Sequence, residues 1–301
     1  MRVNPNLVPD VLADLSQTQT TLNTALQEVS TGKSVNQPSD NPAAAATMVQ
    51  NILESGNVDQ YTQNVSTVLS TVQTADSALS SVVSSLTQAV SLGTQGANGS
   101  SNNSGLQALA SQVQGILSSV VSQANLSYNG TFLFGGTNST QTPYTADSSS
   151  PSGYLYNGND NTNSVAIGDN LSVQVNLPGS QLFSNATNNV IGSLSSLVSA
   201  LQSGDSSTIS SATSAVSSAL SYVNQQRVFY GNAESQLNSQ ESWLQQETVT
   251  LTSQQTSLVG VDMAQAATEL SQAETANSAA LAAAAKVLPD SLMNYLAPAT
   301  T

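Results

Sequence analysis

The sequence predicts a mainly α protein with a small β-rich insert, built from long antiparallel helices in a coiled-coil-like bundle. Three observations lead there. The prolines group at 5–42, 143–178 and 289–298. The stretches 43–142 and 179–288 hold none and are free to form long helices, because proline breaks helix interiors. Apolar residues recur at three- and four-residue steps through both stretches. Where the two stretches meet, residues 128–183 hold seven of the thirteen aromatic residues.

In the first stretch, Val58, Tyr61, Val65, Val68, Val72, Ala75, Leu79, Val82, Leu86 and Ala89 make an unbroken heptad stripe. The positions between are largely Ser, Thr, Gln and Asn, middling to poor helix formers. Such a helix is held by packing of its stripe rather than by propensity. The segment Gly93 to Gly105, rich in Gly, Asn and Ser, is expected to be a loop. Leu106, Leu109, Val113, Ile116 and Val120 then start a shorter stripe. In the second stretch Val216, Val223, Tyr230, Leu237, Leu244, Leu251 and Leu258 fall seven apart, while the companion heptad position holds Gln240, Glu247 and Gln254. One strong row suits a long helix laid against a bundle.

The middle changes period. Leu171-Ser-Val-Gln-Val-Asn-Leu177 alternates apolar and polar residues as a half-buried strand does, and Ser164-Val-Ala-Ile167 precedes it. Tyr154-Leu-Tyr156 followed by Asn157-Gly158 carries a hairpin-turn signal. The two ends return to heptads. Val8, Leu12, Leu15, Leu22, Leu26 and Val29 fit one broken at Gln19; Met263, Ala267, Leu270, Leu281, Ala284 and Leu288 fit one broken at Glu274 and Asn277. Each end carries an apolar seam, which can pair with the other end, with further copies of the chain, or with the main body.

Composition excludes several functions. Only 7% of residues are charged, where about 25% is usual. Arg2, Lys33, Arg227 and Lys286 stand against 18 acids, for a net charge of −14. Four scattered cations cannot neutralise a phosphate backbone, so nucleic acid is not an expected partner. Anionic membrane surfaces are disfavoured for the same reason. With no cysteine there is no disulfide framework or thiolate metal site; with no histidine the usual general base and commonest metal ligand are missing. No stretch approaches the ~18 apolar residues of a membrane span, so no membrane insertion is expected. The start, Met1-Arg-Val-Asn-Pro-Asn-Leu-Val-Pro-Asp10, has no signal-peptide apolar run. The expectation is a chain that stays inside the cell or leaves by a route needing no cleaved signal.

Local motifs offer no catalytic, metal or cofactor site. Asn157-Gly-Asn-Asp-Asn-Thr-Asn163 resembles a calcium loop only superficially: the leading Asp is missing and Gly168 stands where a bidentate Glu is needed. A polar hairpin turn is the expectation. The acids are spread singly along helices, as solvated faces are. Ser39-Asp40-Asn41-Pro42 reads as a helix start, with Asp40 or Asn41 as cap and Pro42 in the first turn. Gly32, just past the first apolar helix, reads as its stop.

Leu26-Gln-Glu-Val-Ser-Thr-Gly-Lys-Ser-Val-Asn-Gln-Pro-Ser-Asp-Asn-Pro-Ala-Ala-Ala45 resembles the N-terminal signature of the bacterial flagellin family. It departs from the pattern at Ser34 and Ala44 but keeps Gly32, Pro38-Ser39-Asp40 and Pro42. Asn129-Gly-Thr-Phe-Leu-Phe-Gly-Gly-Thr-Asn138 and the ending Ser291-Leu-Met-Asn-Tyr-Leu296 are similar to segments of that family's hook-associated branch; Ala297 to Thr301 extend past its usual finish. The resemblance implies a structural subunit, not an enzyme, with paired N- and C-terminal helices. It implies a terminal assembly domain (1–40 with 262–301), a long-helix domain (41–134 with 186–261) and a β-rich outer domain (135–185). Assembly would use Val8, Leu12, Leu15, Leu22, Leu26, Val29, Met263, Leu270, Leu281, Leu288, Leu292 and Leu296, and the helix joint Gly32, Pro38, Ser39, Asp40 and Pro42. The implied setting is extracellular, in the flagellum, after type III export with the help of a chaperone. The implied partners are further copies in a ring, a hook-associated protein on the hook side and flagellin on the filament side. The rival readings are the flagellin filament subunit and, outside the family, a secreted coiled-coil adhesin.

Overall fold

The structure is a computed structural model describing residues 7–98 and 102–296, with side chains over 9–98 and 102–286. It is mainly α with a small β-rich insert. The described elements are α1 (Leu7–Thr31), α2 (Pro42–Ala97), α3 (Asn103–Ala124), β1 (Ser127–Tyr128), β2 (Thr131–Phe132), β3 (Tyr144–Ala146), β4 (Tyr154–Tyr156), β5 (Ser164–Gly168), β6 (Leu171–Gln174), α4 (Gly179–Leu182), α5 (Val190–Ser203), α6 (Ser206–Val259) and α7 (Met263–Leu296). The chain divides into two compact units, Met1–Asn57 with Glu247–Thr301, and Val58–Gln246. Both long helices, α2 and α6, contribute to each.

Within Val58–Gln246, α2 and α6 run antiparallel. Gln73 Nε2 donates to Glu234 Oε1 (3.0 Å) and Ser206 Oγ to the Ala97 carbonyl (2.6 Å). Arg227 holds Asp76 through Nε and Nη2, at 2.9 and 2.8 Å. The heptad stripe of α2 is buried except for Tyr61, which is half-buried, and the row from Val216 to Leu244 on α6 is buried throughout. Packing therefore overrides weak propensity, as the patterning requires. The α3 stripe packs against α5, whose Val190, Ile191, Leu194, Leu197 and Leu201 are buried. Asn102 caps α3 and Asn189 caps α5 through their side-chain oxygens; Gly204, at φ 76°, closes α5.

The glycine-rich loop expected from Gly93 starts later. The α2 helix continues to Ala97, with Gly93 and Gly96 buried inside it. A Cβ at Gly93 would collide with Thr213, and one at Gly96 with Leu201. These glycines are contact surfaces that let α5 and α6 approach α2, rather than chain breaks.

The insert consists of three antiparallel hairpins, β1–β2, β3–β4 and β5–β6. Its core is Phe134, Tyr144, Ile167, Leu182 and Phe183, with Phe134 and Phe183 edge to face at 5.2 Å. The tip of β5–β6 is fastened to both long helices: Asn64 Nδ2 donates to the Ala166 carbonyl (2.8 Å) and Gln240 Nε2 to the Ile167 carbonyl (2.9 Å). Asn157-Gly158 is not a hairpin turn. The β4 strand pairs back to β3, and 157–163 instead wraps the Phe-Leu-Phe-Gly-Gly segment: the Asn159 amide donates to the Gly135 carbonyl (3.2 Å), and Asn159 Oδ1 accepts from the Thr137 amide (2.9 Å). Two of the Asn side chains that mimic calcium ligands in sequence are spent within the chain: Asn159 Oδ1 on the Thr137 amide, and Asn157 Nδ2 on Thr145 Oγ1 (2.9 Å).

Candidate assembly surface

The unit formed by Met1–Asn57 and Glu247–Thr301 carries the sequence-predicted site. Two helix joints organise it. At the first, Gly32 takes φ 68° and its amide closes on the Glu28 carbonyl (2.9 Å), stopping α1. Asp40 Oδ2 accepts from the Asn36 and Gln37 amides (3.0 and 2.8 Å), folding Pro38 and Ser39 into an exposed turn. Asn41, not Asp40, caps α2: its Oδ1 accepts from the Ala44 amide (3.0 Å), and Pro42 occupies the first turn. At the second joint Asp262 Oδ1 accepts from the Ala264 amide (2.9 Å) and starts α7. The joints are stitched together. Lys33 and Gly260 form an antiparallel bridge, the Ser34 amide donates to the Val259 carbonyl (2.8 Å), and the Val261 amide to the Gly32 carbonyl (3.2 Å). The bridge brings the end of α1 beside the start of α7, so the two helices lie antiparallel along each other. Beside the joint, buried Asn51 of α2 donates to Gln254 Oε1 (3.0 Å) and accepts from Gln255 Nε2 (2.8 Å).

The α1–α7 seam is made of small residues. Ala25 is buried on α1; Ala266, Ala273 and Ala284 are buried on α7. Sequence reading placed Ala284 in its C-terminal heptad but passed over the other three. The signal was there: Ala266, Ala273 and Ala280 fall seven apart, interleaved with Leu270, Asn277 and Ala284. On either side of this seam the pair differs sharply. One side is a polar-rimmed groove of about 490 Å³, with Gln17, Thr20, Thr24 and Glu28 of α1 and Glu269 and Gln272 of α7 around the alanines Ala25, Ala273 and Ala276. At 3.6 residues per turn, the other side receives Leu12, Leu15, Leu22, Leu26 and Val29 together with Met263, Leu270 and Leu281. Leu15, Leu22, Val29 and Leu270 are half-buried at its base. Leu12 (49%), Leu26 (45%), Met263 (50%) and Leu281 (47%) remain exposed. The side chains of Val8, Leu288, Leu292 and Leu296 lie outside the described residues. Among the described residues no group of His, Cys, Asp or Glu could hold a metal ion, and no helix is long and apolar enough to cross a membrane.

Residues 9–139 match the bacterial flagellin N-terminal helical region and residues 213–296 the bacterial flagellin C-terminal helical region. The chain belongs to the bacterial flagellin family. A search of curated protein sequences finds no match. Solved structures share the fold. A putative flagellar hook-associated protein from Vibrio parahaemolyticus is 19% identical with a TM-score of 0.66, over 72% of this chain and 98% of that one. FlgL from Bacillus cereus is 23% identical with a TM-score of 0.60, over 69% and 99%. The flagellar junction protein FlgL from Legionella pneumophila is 14% identical with a TM-score of 0.61, over 71% and 100%. The matched family is one of structural flagellar subunits, and the stitched joint at 32–42 falls inside its N-terminal region.

Proposed function

We propose that this flagellin-family chain is the subunit that joins the flagellar hook to the filament, assembling through the apolar side of its α1–α7 pair. The observation that carries the reading is the two-sided pair: an alanine seam satisfies the helices internally, while Leu12, Leu26, Met263 and Leu281 are left half-exposed on one edge. Apolar surface removed from water contributes about 25 cal/mol per Å², and a contiguous row of such residues marks an interaction site. The family supports the flagellar setting, and the solved folds of a hook-associated protein and a junction protein favour junction over filament. On this reading 1–40 with 262–301 assemble, 41–134 with 186–261 form the next layer, and 135–185 faces outward. The neighbours are copies in a ring, a hook-associated protein on the hook side and flagellin on the filament side. The subunit reaches its extracellular place through the export apparatus, held by a chaperone beforehand, and it catalyses nothing.

A deletion strain tests this. Hooks without filaments, with flagellin lost to the medium and rescue by the intact gene, support the junction role. Normal hooks in a strain that makes no flagellin point to the filament subunit. Unchanged motility, with binding of the purified chain to a surface, returns the reading to an adhesin.

A further inference from the structure

The chain contains three Asn-Gly pairs, Asn98-Gly99, Asn129-Gly130 and Asn157-Gly158, and Gly99 lies outside the described residues. Such a pair is chemically labile because glycine has no Cβ to shield its amide nitrogen from the preceding side chain. The fold treats the other two differently. Asn129 and Gly130 are the exposed two-residue turn between β1 and β2, at φ 49° and 78°, the positive values a type I′ turn requires. The Asn129 side chain has no hydrogen bond among the described residues, and nothing lies within 4 Å of where a Gly130 Cβ would stand. The flanking strands are two residues each, joined by Ser127–Phe132 and Tyr128–Thr131, so the turn opens at little cost. Asn157 is held instead. Its Nδ2 donates to Thr145 Oγ1 (2.9 Å) and to the Thr142 carbonyl (3.5 Å), and its amide donates to the Pro143 carbonyl (2.8 Å). Gly158 is backed by the Tyr156 ring and the Gly135 carbonyl.

We infer that Asn129 is a site of spontaneous deamidation in the folded protein, and that the fold protects Asn157. The Gly130 amide nitrogen attacks Asn129 Cγ; the new N–C bond closes a five-membered imide, and the side-chain nitrogen leaves as ammonia with the amide proton. Water then adds across either imide carbonyl, giving aspartate or its β-linked isomer. Either product adds one negative charge to the −14 already present. The isomer also inserts a methylene into a two-residue loop whose length sets the strand register. That register leads directly into Phe132, whose amide donates to the Ser139 carbonyl (2.9 Å), and on to buried Phe134. Ageing at this one turn would therefore loosen the edge of the insert.

The test is peptide mapping by mass spectrometry of the full chain incubated at mildly alkaline pH, native and in urea. Ordinary hydrogen bonds at Asn157 hold its side chain back by about tenfold or more. The peptide carrying Asn129 should gain the deamidation mass, split between the two isomers, at least about tenfold faster than that carrying Asn157 in the native chain; in urea the two rates should converge. An unmodified Asn129, an Asn157 that keeps pace with it natively, or an equal excess at Asn129 in urea would each overturn the inference. None of these outcomes bears on the assembly reading.

Discussion

Replacing Leu12, Leu26, Met263 and Leu281 together with glutamine should abolish assembly while leaving the subunit folded. Burying a Leu or Met side chain completely is worth about 1.5–3 kcal/mol. Each of the four stands at 45–50% exposure, so about 1 kcal/mol per residue is still to be gained from a partner surface. Together they supply about 4 kcal/mol, or about a thousandfold in the association constant. Glutamine is nearly as good a helix former as leucine or methionine, so α1 and α7 keep their backbone structure. Circular dichroism and a thermal melt check that, and complementation of a deletion strain, scored by filament-bearing cells, reads assembly. The control is Gln17, Thr20 and Thr24 on the polar groove, each changed to alanine, which should assemble as the parent does. Parent-level assembly by the quadruple variant would refute the reasoning. So would equal loss in the control, because the apolar edge would then have no special part.

The buried Asn51 clasp to Gln254 and Gln255 should set register rather than stability. Asn51→Leu is expected to change the free energy of unfolding by no more than about 1 kcal/mol, because both glutamines can turn to water, but, on the assembly reading, to lower the yield of assembly through a loosened α2–α6 register; a loss well above that in denaturant melts would contradict it. Burial pushes the Tyr144 and Tyr230 phenols well above their ordinary 10.0. Their folded values are raised, so their contribution is intact below the ordinary phenol value of 10.0 and is lost as pH rises beyond it. Denaturant melts at increasing pH should show the fall, and Tyr230→Phe should make it shallower while costing about 1 kcal/mol at neutral pH through the unpaired Leu177 amide; stability that stays flat above pH 10 would contradict this. Gly93→Val should destabilise by about 1–3 kcal/mol, because its side chain meets Thr213 and Leu197. Gly56→Ala, at an exposed helical position with open space around it, should stabilise by about 0.5–1 kcal/mol; thermal melts of the two variants should move in opposite directions.

What was legible in sequence was the large-residue periodicity. The rows Val58 to Ala89 and Val216 to Leu251 announce buried helix faces because Val and Leu at heptad spacing have no other economical place. Gly93 and Gly96 misled because the same residue serves as a chain breaker and as a close-contact surface, and only the position of Thr213 and Leu201 tells which. Asn157-Gly158 misled for a related reason: a turn dipeptide was read without its neighbours, and Gly135, which it wraps, lies more than twenty residues earlier. At the candidate site, Leu and Met positions drew the eye to the apolar edge, while Ala25, Ala266 and Ala273, the residues that bring α1 and α7 together, look unremarkable in a chain full of alanine. The helix stop at Gly32 and the helix start at Pro42 were readable, because capping chemistry is local, although the sequence left the cap open between Asp40 and Asn41; the Lys33–Gly260 bridge was not readable, because its partners are more than two hundred residues apart.

The division of labour along α1 and α7 has an energetic consequence. Alanine contributes little when buried: a side chain of one methyl is worth well under the 1.5–3 kcal/mol of a leucine. Ordering a helix costs about 1–2 kcal/mol per residue in backbone entropy, offset mainly by its own hydrogen bonds and by packing. A seam of Ala25, Ala266, Ala273 and Ala284 therefore aligns the two helices closely but adds little net stability. Of the large side chains, which would add more, Leu15, Leu22, Val29 and Leu270 are only half-covered and Leu12, Leu26, Met263 and Leu281 are turned to the outer edge. Had the order been reversed, with leucine in the seam and alanine outside, the pair would be stable alone and would have little to gain from a neighbour. On the assembly reading, this placement defers the larger part of the stabilisation until a second subunit covers the edge, which couples the completion of the terminal pair to the arrival of the subunit at its place in the structure.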